Sequence, residues 1–125
     1  MKRLLYLCLF LFNVLVAQSQ DISDFPEVEA TFKGGPAGLQ KYISKNVQYP
    51  QYAIDHNIQG KVYASFVIEI DGSISNIRIE RGIHPTLDNE AKRLIANMPR
   101  WKPGKMKGKK CRTRARLPIN FALSD

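Results

Sequence analysis

The chain has 125 residues, of which 24% are charged and 44% hydrophobic, a composition typical of a globular protein. This length accommodates one domain with a short appendage, and it excludes a membrane-spanning bundle or a two-domain enzyme. With 19 Lys and Arg against 11 Asp and Glu, the formal charge is +8, which favours an anionic partner such as nucleic acid, lipid head groups or an acidic peptide. The two cysteines, Cys8 and Cys111, are too few for a disulfide framework or a four-ligand zinc site.

Residues 1–19 have the pattern of a secretory signal peptide. A positive start at Lys2 and Arg3 precedes an apolar run, and small residues follow at Ala17 and Ser19. We expect cleavage after Ser19, with cleavage after Ala17 as the alternative. The competing interpretation is an uncleaved membrane anchor, although a helix over the apolar run would rise only about 21 Å, short of the roughly 30 Å hydrocarbon core.

Cleavage changes the charge argument. Loss of Lys2 and Arg3 leaves 17 basic and 11 acidic residues, a formal charge of +6 on an exported protein. Export argues against nucleic acid as the partner. Cys111 would then be the single cysteine, so no intramolecular disulfide could form.

We divide the remaining chain into an extended lead-in over residues 20–35 and one domain over residues 36–125. The lead-in is polar and ends at paired glycines before Pro36, which can open a helix as its first residue. The apolar positions of that helix recur with a helical period: Leu39, Tyr42 and Ile43. A second, brief helical turn is predicted from Pro50 to about Asn57.

Two strands joined by a tight turn are predicted next, followed by a helix. Residues 61–70 alternate between two faces and are rich in β-branched and aromatic types. Asp71-Gly72 is a typical hairpin turn, and residues 75–81 form the returning strand. The helix covers residues 86–98, with Thr86 as the predicted N-cap and an apolar stripe along one side.

A third strand is predicted over residues 111–123, after a turn and a lysine-rich loop. Its alternate residues face the core, and Pro118 favours an edge position because proline gives the ladder no donor. The predicted fold class is therefore α+β, with two or three helices packed on a three-stranded antiparallel sheet. Eight basic residues lie at or just before this strand: Lys102, Lys105, Lys107, Lys109, Lys110, Arg112, Arg114 and Arg116.

Residues that could perform catalysis or bind a metal are few and scattered. His56 and His84 lie in no spacing typical of a metal site, and Cys111 faces the predicted core with no histidine beside it in the sequence. Asp88 and Glu90 suit the first turn of a helix, whose dipole favours negative charge. We therefore expect no enzyme activity, no cofactor and no metal.

Three arginines at alternate positions favour a protein-binding edge. Arg112, Arg114 and Arg116 would line the outer face of an edge strand, where an acidic extended peptide could add a strand through main-chain hydrogen bonds. One alternative is a solvated face that protects the edge from aggregation. Another is an envelope surface binder, whose basic loop docks on anionic lipid or cell-wall polymer.

The chain from about Phe25 to Leu123 resembles the C-terminal domain of TonB-type energy transducers, in a short form with a signal peptide. The family fold, helices against a three-stranded antiparallel sheet, agrees with the elements predicted above. The matching segments follow the order of the family: Gly34-Gly35, Leu39, Tyr42-Ile43, Gln48-Tyr49-Pro50, Gly60-Lys61-Val62, Phe66-Val67-Ile68, Asp71-Gly72-Ser73-Ile74, Leu87-Asp88, Glu90-Ala91, Met98-Pro99-Arg100-Trp101-Lys102-Pro103-Gly104 and Leu117-Pro118-Ile119-Asn120-Phe121.

The resemblance implies a periplasmic module that pairs with the TonB box, a short extended segment of outer-membrane active transporters, in TonB-dependent uptake. The box would lie along the last strand. The resemblance also implies that the segment before the second helical turn lies near the box, and that family domains can exchange strands to form a homodimer. The candidate partner-binding residues are therefore Gln48, Tyr49, Pro50, Arg112, Thr113, Arg114, Ala115 and Arg116.

The chain departs from a complete energy transducer at its N-terminal side. A complete transducer has a membrane helix and a long proline-rich spacer, and we find neither pattern in this sequence. If the signal is cleaved, we expect a soluble binding module that cannot itself couple to an inner-membrane motor. If the apolar segment is retained, a short-armed transducer anchored in the inner membrane is the alternative. We expect neither nucleic acid nor a small-molecule substrate as a partner.

Overall fold

The structure is a computed structural model that describes residues 21–124. The predicted signal peptide lies outside the described residues. Three helices and five strands form within them. In chain order they are β1 (Ile22–Ser23), α1 (Gly35–Asn46), α2 (Gln51–Asp55), β2 (Gly60–Ile68), β3 (Ile74–Arg81), α3 (Pro85–Ala96), β4 (Gly104–Met106) and β5 (Lys109–Phe121).

The main sheet consists of three antiparallel strands, in the order β5, β2, β3. β2 pairs with β5 along its whole length, from Gly60 opposite Phe121 to Ile68 opposite Thr113. The structure thus confirms the predicted α+β fold with its three antiparallel strands. The structure also contains two short strands that were not predicted. β1 pairs in parallel with the start of β5, and β4 forms a hairpin with β5.

Several element boundaries differ from those predicted by one or two residues, and two of these differences have a clear local cause. α3 is capped by His84 rather than Thr86, because the His84 Nδ1 accepts a hydrogen bond from the Thr86 backbone N–H at 3.2 Å. β5 begins at Lys109 because the lysine-rich segment turns back on itself at Lys107 and Gly108. These two residues have φ of 51° and 75°, as a two-residue hairpin turn requires.

The helices cover one face of the sheet and enclose the hydrophobic core. The alternation predicted for β2 and β5 places their apolar residues on this face. The other face carries the arginines of β5. The largest fully buried apolar side chains of the core are Val62, Phe66, Ile68, Leu87, Leu94, Ile95 and Ile119, with Phe121 beside them.

The lead-in predicted over residues 20–35 packs onto the domain in its described part. Phe32 is buried, and its ring centroid lies 5.6 Å from that of Tyr42 and 5.4 Å from that of Trp101. Two backbone bridges hold its middle, Val28 with Lys105 and Thr31 with Lys102. As a result, the first residues of the lead-in reach the edge of β5.

Candidate peptide-binding site

The edge of β5 that faces away from β2 has an unpaired stretch of backbone. β1 covers this edge at Arg112 and Thr113. Beyond them, no other strand of residues 21–124 pairs with β5 on this side. At Pro118 the series of backbone hydrogen-bond donors is interrupted, because proline has no N–H. We call the backbone of Arg114–Leu117 on this edge the open stretch.

The three arginines lie on the outer face of the sheet. They differ in their distance from the chain's own carboxylates and in their exposure to solvent. The Arg112 Nε lies 2.7 Å from a Glu69 carboxylate oxygen, and its side chain is 22% exposed. Arg114 is 23% exposed and lies 3.3 Å from Asp24. Arg116 is 62% exposed and lies 3.7 Å from the same oxygen of Asp24. Arg116 is therefore the most accessible of the three.

The pair of Arg112 and Glu69 connects β5 to the turn between β2 and β3. The hydrogen bond from Arg112 lowers the pKa of the Glu69 carboxyl against the opposing effect of partial burial, and the Ser75 hydroxyl acts in the same direction as Arg112. The Arg112 guanidinium therefore has an internal partner at short distance, and the pair links β5 to the β2–β3 turn.

A pH dependence follows from the lowered pKa of Glu69. A carboxyl with a lower pKa in the folded chain stabilises the fold above its unfolded pKa, and this contribution is lost as pH falls through the folded value. We expect Glu69→Gln to lower the free energy of unfolding by about 0.5–1 kcal/mol near neutral pH, and by progressively less as pH falls below about 4.3, the usual pKa of a glutamate carboxyl. Urea denaturation across this range measures the difference, with Glu29→Gln on the exposed lead-in as the control. A loss that is the same at every pH would contradict it.

The candidate segment Gln48-Tyr49-Pro50 lies at the other end of β5. The ring of Tyr49 contacts that of Phe121 edge-on, with centroids 5.8 Å apart, and its hydroxyl donates a hydrogen bond to the Ile58 carbonyl at 2.5 Å. Pro50 is the N-cap of α2, and the side chain of Gln48 is exposed. Phe121 is five residues beyond Arg116, or about 17 Å along a strand. The structure thus brings the arginines together and places this segment apart from them.

Glu90 anchors the candidate segment, a role that the sequence did not reveal. It is 7% exposed and accepts a hydrogen bond from the Gln48 backbone N–H at 2.6 Å. The Arg93 guanidinium donates to it at 2.6 and 2.8 Å, and also to the Asn46 carbonyl at 2.9 Å. The spacing of Glu90 and Arg93 on one helix was a signal for the ion pair, but no sequence pattern indicated its backbone partners.

A groove runs beside the open stretch on the helix-facing side of the sheet. Its nearer part is a cavity of about 230 Å³ with a mixed lining. The apolar side includes Leu39, Trp101, Ala115 and Leu117, and the polar side is formed by Glu29, Thr113, Arg114 and Arg116. A second cavity of about 310 Å³ continues it between α1 and the lead-in, and shares Leu39 and Trp101. We call these two cavities the apolar groove. A strand laid on the open stretch would direct alternate side chains into it.

The outer face beside the open stretch has a different chemical character. A shallow pocket of about 480 Å³ lies between Tyr63, Arg81, Arg116 and Pro118, with Glu80 on its wall. The Arg81 guanidinium lies 5.3 Å from the centroid of the Tyr63 ring, within the range of a cation–π contact. The remaining side chains of an added strand would point over this basic and aromatic surface.

Within residues 21–124, no three His, Cys, Asp or Glu side chains are placed to share a metal ion. His56 and His84 instead stack on either side of Tyr52, with centroids at 3.9 and 5.2 Å. None of the helices in this range combines the length and the apolar character needed to cross a membrane.

Comparison with known proteins identifies the family. Residues 45–123 match the family described as Gram-negative bacterial TonB protein C-terminal. The solution NMR structure of Helicobacter pylori TonB-CTD is similar, with 27% identity over 70% of this chain and 78% of that chain and a TM-score of 0.53. The Pseudomonas aeruginosa TonB CTD is similar at 26% identity over 62% of this chain and 79% of that chain, with a TM-score of 0.52. No curated protein sequence matches significantly. Because the family match spans more than half of the chain, and as its sequence motifs predicted, the chain belongs to the TonB C-terminal domain family.

Proposed function

We propose that this chain is an exported TonB-like module that binds the TonB box of outer-membrane transporters along the open stretch of β5. Family membership supports a TonB-like role in TonB-dependent transport. The observation that carries the proposal is an unpaired edge flanked by the apolar groove on one side and Arg116 on the other. Main-chain pairing would provide affinity, and the two flanking surfaces would select alternate side chains.

The proposal includes a location and a division of the chain. We propose a signal peptide over residues 1–19, a lead-in over 20–35 and the binding domain over 36–125, in a protein that acts in the periplasm. The signal-peptide pattern and the envelope function of the family support this location. The activity proposed is the binding of a protein partner rather than catalysis.

Titration of the full chain with synthetic TonB-box peptides tests the proposal. We expect binding at sub-millimolar concentration, and we expect Arg116→Glu to weaken the binding of an acidic box peptide about tenfold, because an attraction becomes a repulsion. Lys92→Glu changes the net charge equally on an exposed face of α3, and it should leave affinity unchanged. Equal losses in both variants would indicate a general charge effect, and no binding of any box peptide would overturn the proposal.

A second candidate is docking of the β4–β5 hairpin on an anionic lipid or polymer surface. This hairpin favours it because Lys105 lies directly opposite Lys110 while the neighbouring lysines of the turn are exposed. Co-sedimentation with anionic vesicles at low and high salt separates the two candidates. Docking through lysines would weaken sharply with salt, whereas pairing through the backbone would depend on it much less.

A further inference from the structure

The first described residues of the chain lie on the same edge of β5 as the open stretch. Ile22 pairs in parallel with Arg112, and Ser23 pairs with Thr113. β1 is therefore an added strand on this edge, supplied by the chain itself. The open stretch begins at the next residue of β5, so β1 and the proposed ligand strand would occupy consecutive positions of one edge.

Asp24 follows β1 directly and meets the arginines of the proposed site. One of its carboxylate oxygens lies 3.3 Å from the Arg114 Nε and 3.7 Å from the Arg116 Nη2. The segment Ile22–Asp24 thus combines backbone pairing with a carboxylate on two arginines, which are the two features expected of an acidic ligand strand. We infer that this segment is an intramolecular competitor, which a partner peptide displaces from β5 when it binds. The inference rests on the proposed function.

The length of the open stretch supports displacement rather than coexistence. With β1 in place, Arg114–Leu117 is bounded by Thr113 and Pro118 and spans only about 13 Å. Strands in proteins most often have about five or six residues. Release of β1 would add Arg112 and Thr113 to the available edge and give a ladder of that length. A peptide strand of ordinary length would therefore overlap β1 and could not pair while β1 remained.

The segment is held weakly enough to be displaced. β1 has two residues, and Asp24 is half exposed, so its ion pairs are screened by water. Exposed ion pairs of this kind would shift the equilibrium between the paired and the released segment by no more than about fivefold. Apparent affinity for a partner falls in proportion to the fraction of molecules whose site is free. While the segment is paired with β5, it would therefore reduce the affinity for a partner peptide modestly. A variant that releases the segment would restore that affinity.

Asp24→Asn in the full chain tests the inference. We expect a TonB-box peptide to bind this variant about two- to fivefold more tightly than the wild type, because the amide no longer holds the arginines. Asp21→Asn is the matched control, since it removes the same charge from the same exposed segment and Asp21 has none of the ion pairs found within residues 21–124. Isothermal titration calorimetry measures both. Equal affinity in all three proteins would overturn the inference but leave the proposed function standing.

A second peptide separates displacement from simple charge repulsion. If the segment leaves β5, Asp24→Asn should improve the binding of an acidic box peptide and of its amide counterpart by the same factor. A gain confined to the acidic peptide would mean that Asp24 only repels the ligand, and it would overturn the inference. Hydrogen exchange gives a direct readout, because peptide binding should deprotect the backbone amide of β1 that faces β5. If no peptide bound the wild type or Asp24→Asn, the proposed function would fail and the inference with it.

Discussion

Replacement of Trp101 with alanine is expected to lower the free energy of unfolding by about 3–5 kcal/mol. The indole packs edge-on against Phe32 of the lead-in and Phe66 of β2, with ring centroids 5.4 and 5.7 Å away. Its removal would leave a cavity between the lead-in and the sheet. Because domains of this size have a total stability of about 5–15 kcal/mol, the loss would be a large part of the whole. Urea denaturation followed by far-UV circular dichroism measures it, since the variant lacks the single tryptophan of the chain.

The matched control is Trp101→Phe. No hydrogen-bond partner for the Trp101 Nε1 is found among residues 21–124, so phenylalanine would lose part of the ring contact but no polar interaction. We expect it to cost about 1–2 kcal/mol. A cost below about 1 kcal/mol for the alanine variant, or equal costs for both, would contradict the proposed position of this ring in the core.

Gly72→Ala is expected to lower the free energy of unfolding by about 3 kcal/mol or more, through two separate effects. The backbone at Gly72 has φ of 86°, a conformation that costs other residues about 1–2 kcal/mol. In addition, a Cβ at this position would lie 2.1 Å from the Trp101 carbonyl oxygen. Neither group can withdraw easily, because the Trp101 N–H donates to the Gly72 carbonyl at 2.9 Å.

Gly108 provides the control for the second effect. Its φ of 75° also lies in the left-handed region, but no heavy atom would lie within 4 Å of an added Cβ. We expect Gly108→Ala to cost only the conformational strain of about 1–2 kcal/mol. Thermal or urea denaturation compares the two variants. If both lost the same stability, the close contact of the β2–β3 turn with Trp101 would not hold in solution.

Periodicity predicted the long elements because each of them buries one face in the same core. The alternation in β2 and β5 and the apolar stripe of α3 were therefore sufficient for the fold class. β1 and β4 have two and three residues, too few to establish a period. They form because a partner strand lies beside them, and that neighbour is determined by the tertiary fold.

The sequence predicted only part of the candidate site. Alternation placed the arginines on the outer face, and proline chemistry predicted the edge at Pro118. Periodicity could not reveal which carboxylates meet these arginines, because Glu69 and Asp24 are brought to β5 from distant parts of the chain. The apolar groove was likewise hidden, since its walls come from α1, the lead-in and β5.

The short length of the open stretch has a consequence for self-association. Unpaired edges invite pairing with a second copy of the same chain. Two copies joined antiparallel through Arg114–Leu117 would bring their Arg114 and Arg116 side chains close together, and like charges on paired strands are unfavourable. An acidic strand from another protein would not encounter this like-charge repulsion. The same arginines that we propose to attract a ligand would thus keep identical copies apart in a crowded envelope, so selectivity and solubility would depend on one pair of side chains.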